Sequence, residues 1–244
     1  MTAYDRKDYA TALSLWKPLA LQGEARAQFG LGAMYQTGQG VSQNVEEAMR
    51  LYRLAAAQGN VDAQLSLGYI YQNAEAKPED YKEALRWYRL AATQGNAEAQ
   101  NNLGDMYHHG QGVPEDHKEA ARLYGLAAAQ RHAKAQSHLG FMYRDGEGVS
   151  QDYKEAARLF GLAAAQGDTS AQFGLGNMYR DGHGVPQNYV RAHMWYDLSS
   201  IARRGAHISI EERNKIAAKL SPAQLKQAQD MARKCKASNF KNCD

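Results

Sequence analysis

Acidic side chains at a fixed spacing are the first residues that could do chemistry in this 244-residue chain. An Asn or Asp stands three residues before a Glu at four places: Asn44 and Glu47, Asp80 and Glu83, Asp116 and Glu119, Asp152 and Glu155. Paired acids can serve as general acid and base. The same spacing is typical of a helix N-cap with its capping-box partner. Capping accounts for the whole pattern, so we assign these groups to helix starts and not to catalysis.

The eight histidines are the other candidates for proton transfer or metal binding. They are scattered: His108 and His109 adjoin, while His117 and His183 stand alone. The chain contains no His-Glu-x-x-His motif, and no spacing sets a nucleophile beside a base and an orienting group. We therefore predict no catalytic residues, no metal site and no cofactor.

Paired glycines precede several predicted helices, as in Gly38-Gln-Gly40-Val41 and Gly182-His-Gly184-Val185. Glycine-rich loops at helix N-termini can bind phosphate. These pairs lack the Lys-Ser/Thr ending of a P-loop and the strand that should precede one. A left-handed turn that carries a buried Val is the favoured interpretation. Residues 74–77 contain no glycine, which predicts a different loop shape there.

Both cysteines, Cys235 and Cys243, lie near the C-terminus. Eight residues apart, they can pair if the last helix ends between them, and Ser238-Asn239 permits this. We predict a Cys235–Cys243 disulfide, which implies an oxidising compartment. The alternative is two free thiols in the cytosol. The spacing matches no zinc motif.

The elements that must position these residues repeat along the chain. Alanines at 27, 63, 99, 135 and 171 open equivalent stretches, each ending in Tyr, so the period is 36 residues. A fixed period of this size is typical of stacked repeats. Within each stretch, called helix A, Ala, Leu and Tyr share one stripe. A mid-helix Gly, such as Gly68, predicts close packing against a second backbone.

A second helix, called B, completes each unit with an alanine-rich apolar face. Tyr9, Ala12 and Trp16 align with helix B one period later, so the chain opens on half a repeat. Either a leader preceded Met1 and was removed, which we favour, or the array opens with an unpaired helix. The B-to-A turns place glycine as a C-cap, except that Arg131 stands there once and should strain or reshape that turn.

The net charge of +3 is too small to indicate nucleic-acid binding. Residues 201–244 hold a balance of +6, so the tail alone is basic. Either the basic residues form a solvated face of a terminal cap, or they dock the tail on an acidic partner or membrane surface. No apolar run approaches the roughly 20 residues of a membrane span, and no signal peptide opens the chain.

The frame A-x-A-Q-x-x-L-G-x-M-Y-x-x-G-x-G-V, followed by E-A-x-x-x-Y-x-x-A-A-x-Q-G, resembles the Sel-1-like repeat family of the tetratricopeptide superfamily. The resemblance covers about Tyr4 to Ser200. It implies an all-α fold, a right-handed α-solenoid of helix-turn-helix repeats whose A helices line a concave groove. Its members usually act as adaptors, assembly factors or inhibitors, and several bacterial ones are exported. We therefore expect a periplasmic or secreted protein, with a cytoplasmic one as the alternative.

We divide the chain into a solenoid at 1–200, with a half repeat at 1–23 and five A/B units, and a C-terminal helical cap at 201–244. Ser209 and Ser221 each begin a capping-box sequence, which predicts cap helices at about 210–219 and 222–237.

If the A helices face inward, side chains two or five residues from each helix Leu line the groove. Aromatic and Arg side chains are the usual anchors of interfaces, although the aromatics could instead pack on the next repeat. The predicted partner-binding residues are Phe29, Tyr69, Asn101, Asp105, His108, Phe141, Arg144, Asn177 and Arg180.

The sequence thus predicts a non-enzymatic scaffold or adaptor that binds a protein or peptide partner along the groove. Two alternatives remain: an exported inhibitor or immunity-type protein that covers a partner enzyme, and a β-lactam hydrolase-like enzyme, which the missing activated nucleophile argues against. The sequence does not specify the oligomeric state.

Overall fold

The computed structural model describes residues 4–73, 77–200, 206–240 and 243. These residues form thirteen α-helices and no strand. The first, α1 (Tyr9–Leu21), lies in the predicted half repeat. The A helices are α2 (Ala25–Thr37), α4 (Val61–Gln72), α6 (Ala97–His108), α8 (Ala133–Asp145) and α10 (Thr169–Asp181). The B helices are α3 (Val45–Ala57), α5 (Pro78–Thr93), α7 (His117–Ala129), α9 (Tyr153–Ala164) and α11 (Tyr189–Ser199). The two helices in the predicted cap region are α12 (Ala206–Ala217) and α13 (Pro222–Ala237).

The chain forms two compact units, residues 1–115 and 116–244. In each unit, each repeat helix packs against the next one, as in an all-α solenoid of helix pairs. In the second unit, α12 and α13 both pack on α11. No described helix is long and apolar enough to cross a membrane.

Helix B begins on a side-chain cap in most repeats. The side chains of Asn44, Asp116 and Asp152 accept hydrogen bonds from backbone N–H groups in the first turn, as predicted. The prediction for Asp80 is wrong: α5 begins earlier, with Pro78 at its first turn and Lys77 at the N-cap. Pro lacks an N–H and is preorganised for the helix, so it can begin the helix without a side-chain cap.

The glutamates of these motifs do not turn back to the cap. Glu47, Glu119 and Glu155 instead accept two hydrogen bonds each from an arginine three residues later. The bidentate guanidinium pair satisfies both carboxylate oxygens, which explains why the capping-box part of the prediction is wrong here.

An aromatic ring of helix B is buried against the mid-helix glycine of helix A. A Cβ at Gly32, Gly68, Gly140 or Gly176 would come within 2.5–2.8 Å of Tyr52, Tyr88, Phe160 or Tyr196, respectively. The predicted close approach is present, but the nearest neighbour is an aromatic ring and not a second backbone. These rings are almost fully buried and fill the space between paired helices.

Buried glutamines link successive repeats. The Gln64 amide donates to the Ala56 carbonyl at 3.2 Å and accepts from Gln94 at 2.8 Å. Gln136 donates to Ala128 at 3.1 Å and accepts from Gln166 at 2.8 Å. Because both ends of each buried amide are paired, the polar side chain adds a directional contact to an alanine-rich interface.

The turns follow the predicted left-handed geometry. Gly59, Gly95 and Gly167 have φ values of +85 to +86°, and Arg131 adopts φ +65° at the equivalent position. Arg131 therefore keeps the turn shape and bears the strain itself. In the A-to-B loops, a Cβ at Gly184 would collide with the Tyr153 carbonyl of the preceding repeat. This backbone contact favours a packing role for the paired glycines over a phosphate site.

At the C-terminus, Ser221 and Gln224 form the reciprocal capping box that the sequence predicts. The prediction for Ser209 is wrong, because Ser209 is buried inside α12, which already begins at Ala206. Cys235 and Cys243 form a disulfide with a Cα–Cα distance of 4.4 Å. The glycine-free residues 74–76 and the chain start at 1–3 lie outside the described residues.

Candidate partner-binding site

Tyr69 is the most open aromatic side chain of the predicted groove. It lies on α4 and is 57% exposed. It borders a cleft of about 250 Å³ to which three successive A helices of the first unit contribute: Gln36 from α2, Leu65 and Ser66 from α4, and Glu98 and Asn102 from α6. An exposed ring beside apolar and polar side chains is the arrangement of an interface anchor.

This face of the first unit is acidic. The A helices α2, α4 and α6 carry Asp62, Glu98 and Asp105 against a single cation, Arg26. Burial raises the pKa of the Tyr88 hydroxyl above its usual range, and the carboxylates of Glu98 and Asp105 raise it further. The two carboxylates also oppose any further negative charge beside them. The face therefore favours a cationic ligand over an anionic one.

Two of the predicted aromatics pack on buried rings of helix B. Phe29 lies 5.6 Å from Tyr52 and Phe141 lies 4.8 Å from Phe160, measured between ring centroids. Phe173, which holds the position of Phe29 in the last repeat, lies 5.6 Å from Tyr196. Each of the three is half-buried. Among these aromatics, only Tyr69 exposes most of its side chain to solvent. Tyr69 therefore fits the interpretation as an interface anchor, whereas the other three pack against the protein itself.

Asn101 does not face solvent. Its side chain is 1% exposed, and its Nδ2 lies 3.4 Å from Asp105. The expectation that it lines an open groove is therefore wrong, because the side chain is covered in the core, as is Ser137 at the same position one repeat later. Asp105 and His108 are half-buried on α6, and the His108 ring stacks on His109 at 4.7 Å.

Arg144 and Arg180 are engaged within the second unit. Arg144 lies over the Phe141 ring at 4.8 Å and makes two hydrogen bonds to Asp145. Arg180 pairs in the same way with Asp181 and also donates to Glu212 of α12 at 2.7 Å. Both guanidinium groups already have carboxylate partners, which limits their use as anchors for an incoming chain.

Asn177 is also committed, since its Oδ1 accepts a hydrogen bond from the Tyr196 hydroxyl at 2.8 Å. The sequence prediction missed Ser66 and Asn102, which line the Tyr69 cleft. Each stands one residue before a helix Leu, at the same position in successive repeats. Their shared position in the repeat could have predicted that the two side chains are neighbours.

Four serines direct a hydroxyl hydrogen bond to the main chain and not to a base. The hydroxyls of Ser14, Ser199, Ser200 and Ser238 each donate to a main-chain carbonyl three residues earlier. A serine nucleophile needs its hydroxyl paired with a base, and these four point elsewhere. His193 is buried, and burial lowers its pKa.

The family model described as Sel1 repeat matches residues 25–60, 61–96, 97–132, 133–168 and 169–201. These ranges coincide with one A helix and one B helix each. No curated protein matches the chain.

Solved structures agree with the family match. A Sel1 repeat protein from Oxalobacter formigenes is 30% identical, with a TM-score of 0.81 and coverage of 93% of each chain. A protective antigen of uropathogenic Escherichia coli with an SLR fold is also 30% identical, with a TM-score of 0.63. That match covers 96% of this chain and 58% of the antigen. The protein described here belongs to the Sel1 repeat family.

Proposed function

We propose that this Sel1 repeat protein is a non-enzymatic scaffold that binds a protein or peptide partner on the A-helix face of its first unit. Sel1 repeats form a protein-interaction type of scaffold, which supports the general class. The observation that carries the proposal is Tyr69, whose ring is 57% exposed at the edge of a cleft built by three A helices.

The chemistry of this face favours a segment that carries Lys or Arg. A cation can stack on the Tyr69 ring, as Arg and Lys do on exposed aromatics. The carboxylates of Asp62, Glu98 and Asp105 would attract the same charge. Leu65 and the polar groups of Ser66 and Asn102 supply apolar contact and hydrogen bonds beside the ring.

The remaining predicted residues have secondary roles in this proposal. Asp105 and His108 would flank the cleft, and Phe29 would support it through its contact with Tyr52. Phe141, Arg144, Asn177 and Arg180 belong to the second unit, where they remain predicted partner contacts of that unit by itself. The burial of Asn101 removes it from the proposed contact surface.

An exported role is supported by the Cys235–Cys243 disulfide. Disulfides persist in oxidising compartments such as the periplasm or the extracellular space. We therefore place the scaffold there, and a partner enzyme that it covers and inhibits is a second candidate for the bound protein.

A pull-down with two matched alanine substitutions tests the proposed face. Tyr69→Ala removes the exposed ring, and Leu54→Ala removes an exposed side chain, 42% accessible, from a B helix of the same unit. Both variants should fold, as judged by circular dichroism. A partner retained by Leu54→Ala and lost by Tyr69→Ala is expected. Equal retention by both variants would contradict the proposal.

A further inference from the structure

Two consecutive residues after α13 have a left-handed backbone. Asn239 has φ +53° and Phe240 has φ +63°. Neither is glycine, and left-handed residues with a side chain are uncommon because the Cβ crowds the following carbonyl. Their amides donate to the carbonyls of Lys236 at 3.0 Å and Cys235 at 2.9 Å, at the end of α13. Strained positions of this kind persist only where surrounding contacts hold them, and they are typical of switch regions.

The Phe240 ring lies on the turn between α9 and α10. Its Cε2 and Cδ2 atoms are 3.3 and 3.4 Å from the point where a Cβ on Gly167 would stand. At Gly59 and Gly95, the equivalent turns of earlier repeats, such a Cβ would meet nothing within 4 Å. Phe240 also borders a cleft of about 440 Å³, whose apolar lining includes Leu175, Val185 and Trp195. The chain therefore covers part of this cleft with its own aromatic side chain.

One covalent bond closes the loop that places Phe240. Cys235, in the last turn of α13, is joined to Cys243, and Phe240 stands between them in sequence. Phe240 is only half-buried, so its apolar contacts have little hydrophobic gain to set against the two left-handed residues and the ordering of the loop. Opening the bond would return conformational freedom to the loop, which favours release of the ring.

The two sulfur atoms of the disulfide differ in access. Cys235 has no exposed surface and belongs to a core cluster with Trp195 and Ala232. Cys243 is half-buried and borders the same cleft as Phe240. Thiol–disulfide exchange requires that a thiolate reach the sulfur it attacks. An external reductant can therefore attack the disulfide at Cys243 and not at Cys235.

We propose that the Cys235–Cys243 disulfide is a redox-operated latch, which holds Phe240 at the cleft and, when an external dithiol reduces it, frees Phe240 and opens the cleft. A thiolate of the reductant attacks Sγ of Cys243, and the S–S bond breaks. The electron pair leaves on Sγ of Cys235, which takes up a proton. The second thiol of the reductant then displaces Cys243 as a thiol, so the protein gains two electrons and the dithiol becomes a disulfide. This device lies within the second unit and does not rest on the function proposed for the Tyr69 face.

Amide NMR spectra of the full-length protein with and without dithiothreitol test the latch. Intact mass should show that dithiothreitol reduces the native protein without denaturant and that reoxidation restores the bond. Reduction should shift the amide signals of Gly167 and Leu175, and the order parameter of Phe240 should fall below about 0.6. The amides of α7, which does not border this cleft, should keep their shifts.

Two variants separate the bond from the ring. Cys243→Ser removes the bond and should show the shifts at Gly167 and Leu175 without reductant, with no response to dithiothreitol. Phe240→Ala keeps the bond and removes the ring, so it should shift Gly167 while position 240 stays ordered. In the reduced native protein, iodoacetamide should alkylate Cys243 at least about tenfold faster than Cys235, because a buried thiol is inert.

Three results would overturn the proposal. Unchanged amide signals of Gly167 and Leu175 in the reduced protein would show that Phe240 stays in place. Shifts spread through α11 and α13, with equal alkylation of both cysteines, would show that the bond holds the packing of α13 and not a latch. Resistance of the native disulfide to dithiothreitol would contradict the attack at Cys243.

Discussion

The ring of Tyr88 lies so close to Gly68 that a Cβ on Gly68 would stand 2.5 Å from the ring carbons Cδ1 and Cε1. Tyr88 is fully buried, and its hydroxyl donates to Gln72 at 2.9 Å, so the ring cannot retreat without losing this bond. The contact joins helices α4 and α5 and recurs in other repeats. It explains why glycine occupies the middle of a helix that would otherwise favour alanine.

We expect Gly68→Ala to destabilise the protein by about 1–3 kcal/mol, because overpacking outweighs the gain in helix propensity. Gly125→Ala provides the matched control, since its Cβ would meet nothing and the variant should be more stable by up to about 1 kcal/mol. Urea denaturation measures both. Equal effects of the two substitutions would show that the Tyr88 contact does not determine the residue at position 68.

The turn at Arg131 leads to a second prediction. A side chain at φ +65° carries a left-handed strain that glycine avoids. Arg131→Gly should therefore raise the free energy of unfolding by about 1 kcal/mol. Gly95→Arg places the same strain at the equivalent turn and should lower it by a similar amount. A loss of stability in Arg131→Gly would mean that the arginine side chain makes a contact that offsets the strain.

The sequence predicts the fold well because its signals are local and repeated. The period fixes the order of the helices, and the caps at Asn44, Asp116 and Asp152 follow from residues three positions apart. Asp80 and Ser209 have the same local pattern, but Pro78 and the early start of α12 move the helix boundary past them. Capping patterns alone cannot choose between two nearby starts.

The candidate site is less predictable because it depends on neighbours distant in sequence. Position 101 is buried while position 69 is open, although both were assigned to the same groove. The sequence predicts that Arg180 binds a partner. In the structure, Arg180 donates a hydrogen bond to Glu212 of α12 at 2.7 Å. Tertiary contacts decide which side chains remain available to a partner, and a 36-residue sequence pattern does not contain those contacts.

The pair between Arg180 and Glu212 predicts a dependence on pH. Hydrogen bonds from Lys215 and Arg180 lower the pKa of Glu212 from its ordinary value of 4.5. Its stabilising effect is therefore complete above about pH 5 and is lost as the pH falls through the lowered pKa. Relative to native, Glu212→Gln should cost about 1 kcal/mol at neutral pH and progressively less in acid.

Urea denaturation of both proteins at about pH 7 and about pH 3 measures this difference. Glu211→Gln is the control, because Glu211 is 63% exposed and pairs only with Lys215 among the described residues. Its effect should be small at both pH values. A cost of Glu212→Gln that does not change with pH would contradict an electrostatic role for this carboxylate.

In the proposed complex a partner lies against Tyr69, and site-specific photo-crosslinking probes this contact. A photoreactive phenylalanine analogue replaces Tyr69 in one protein and Leu54, on a B helix of the same unit, in the other. We expect one discrete crosslinked partner from position 69, competed by unlabelled native protein, and none from position 54. Crosslinking of that partner from position 54 alone, or equally from both, would contradict it.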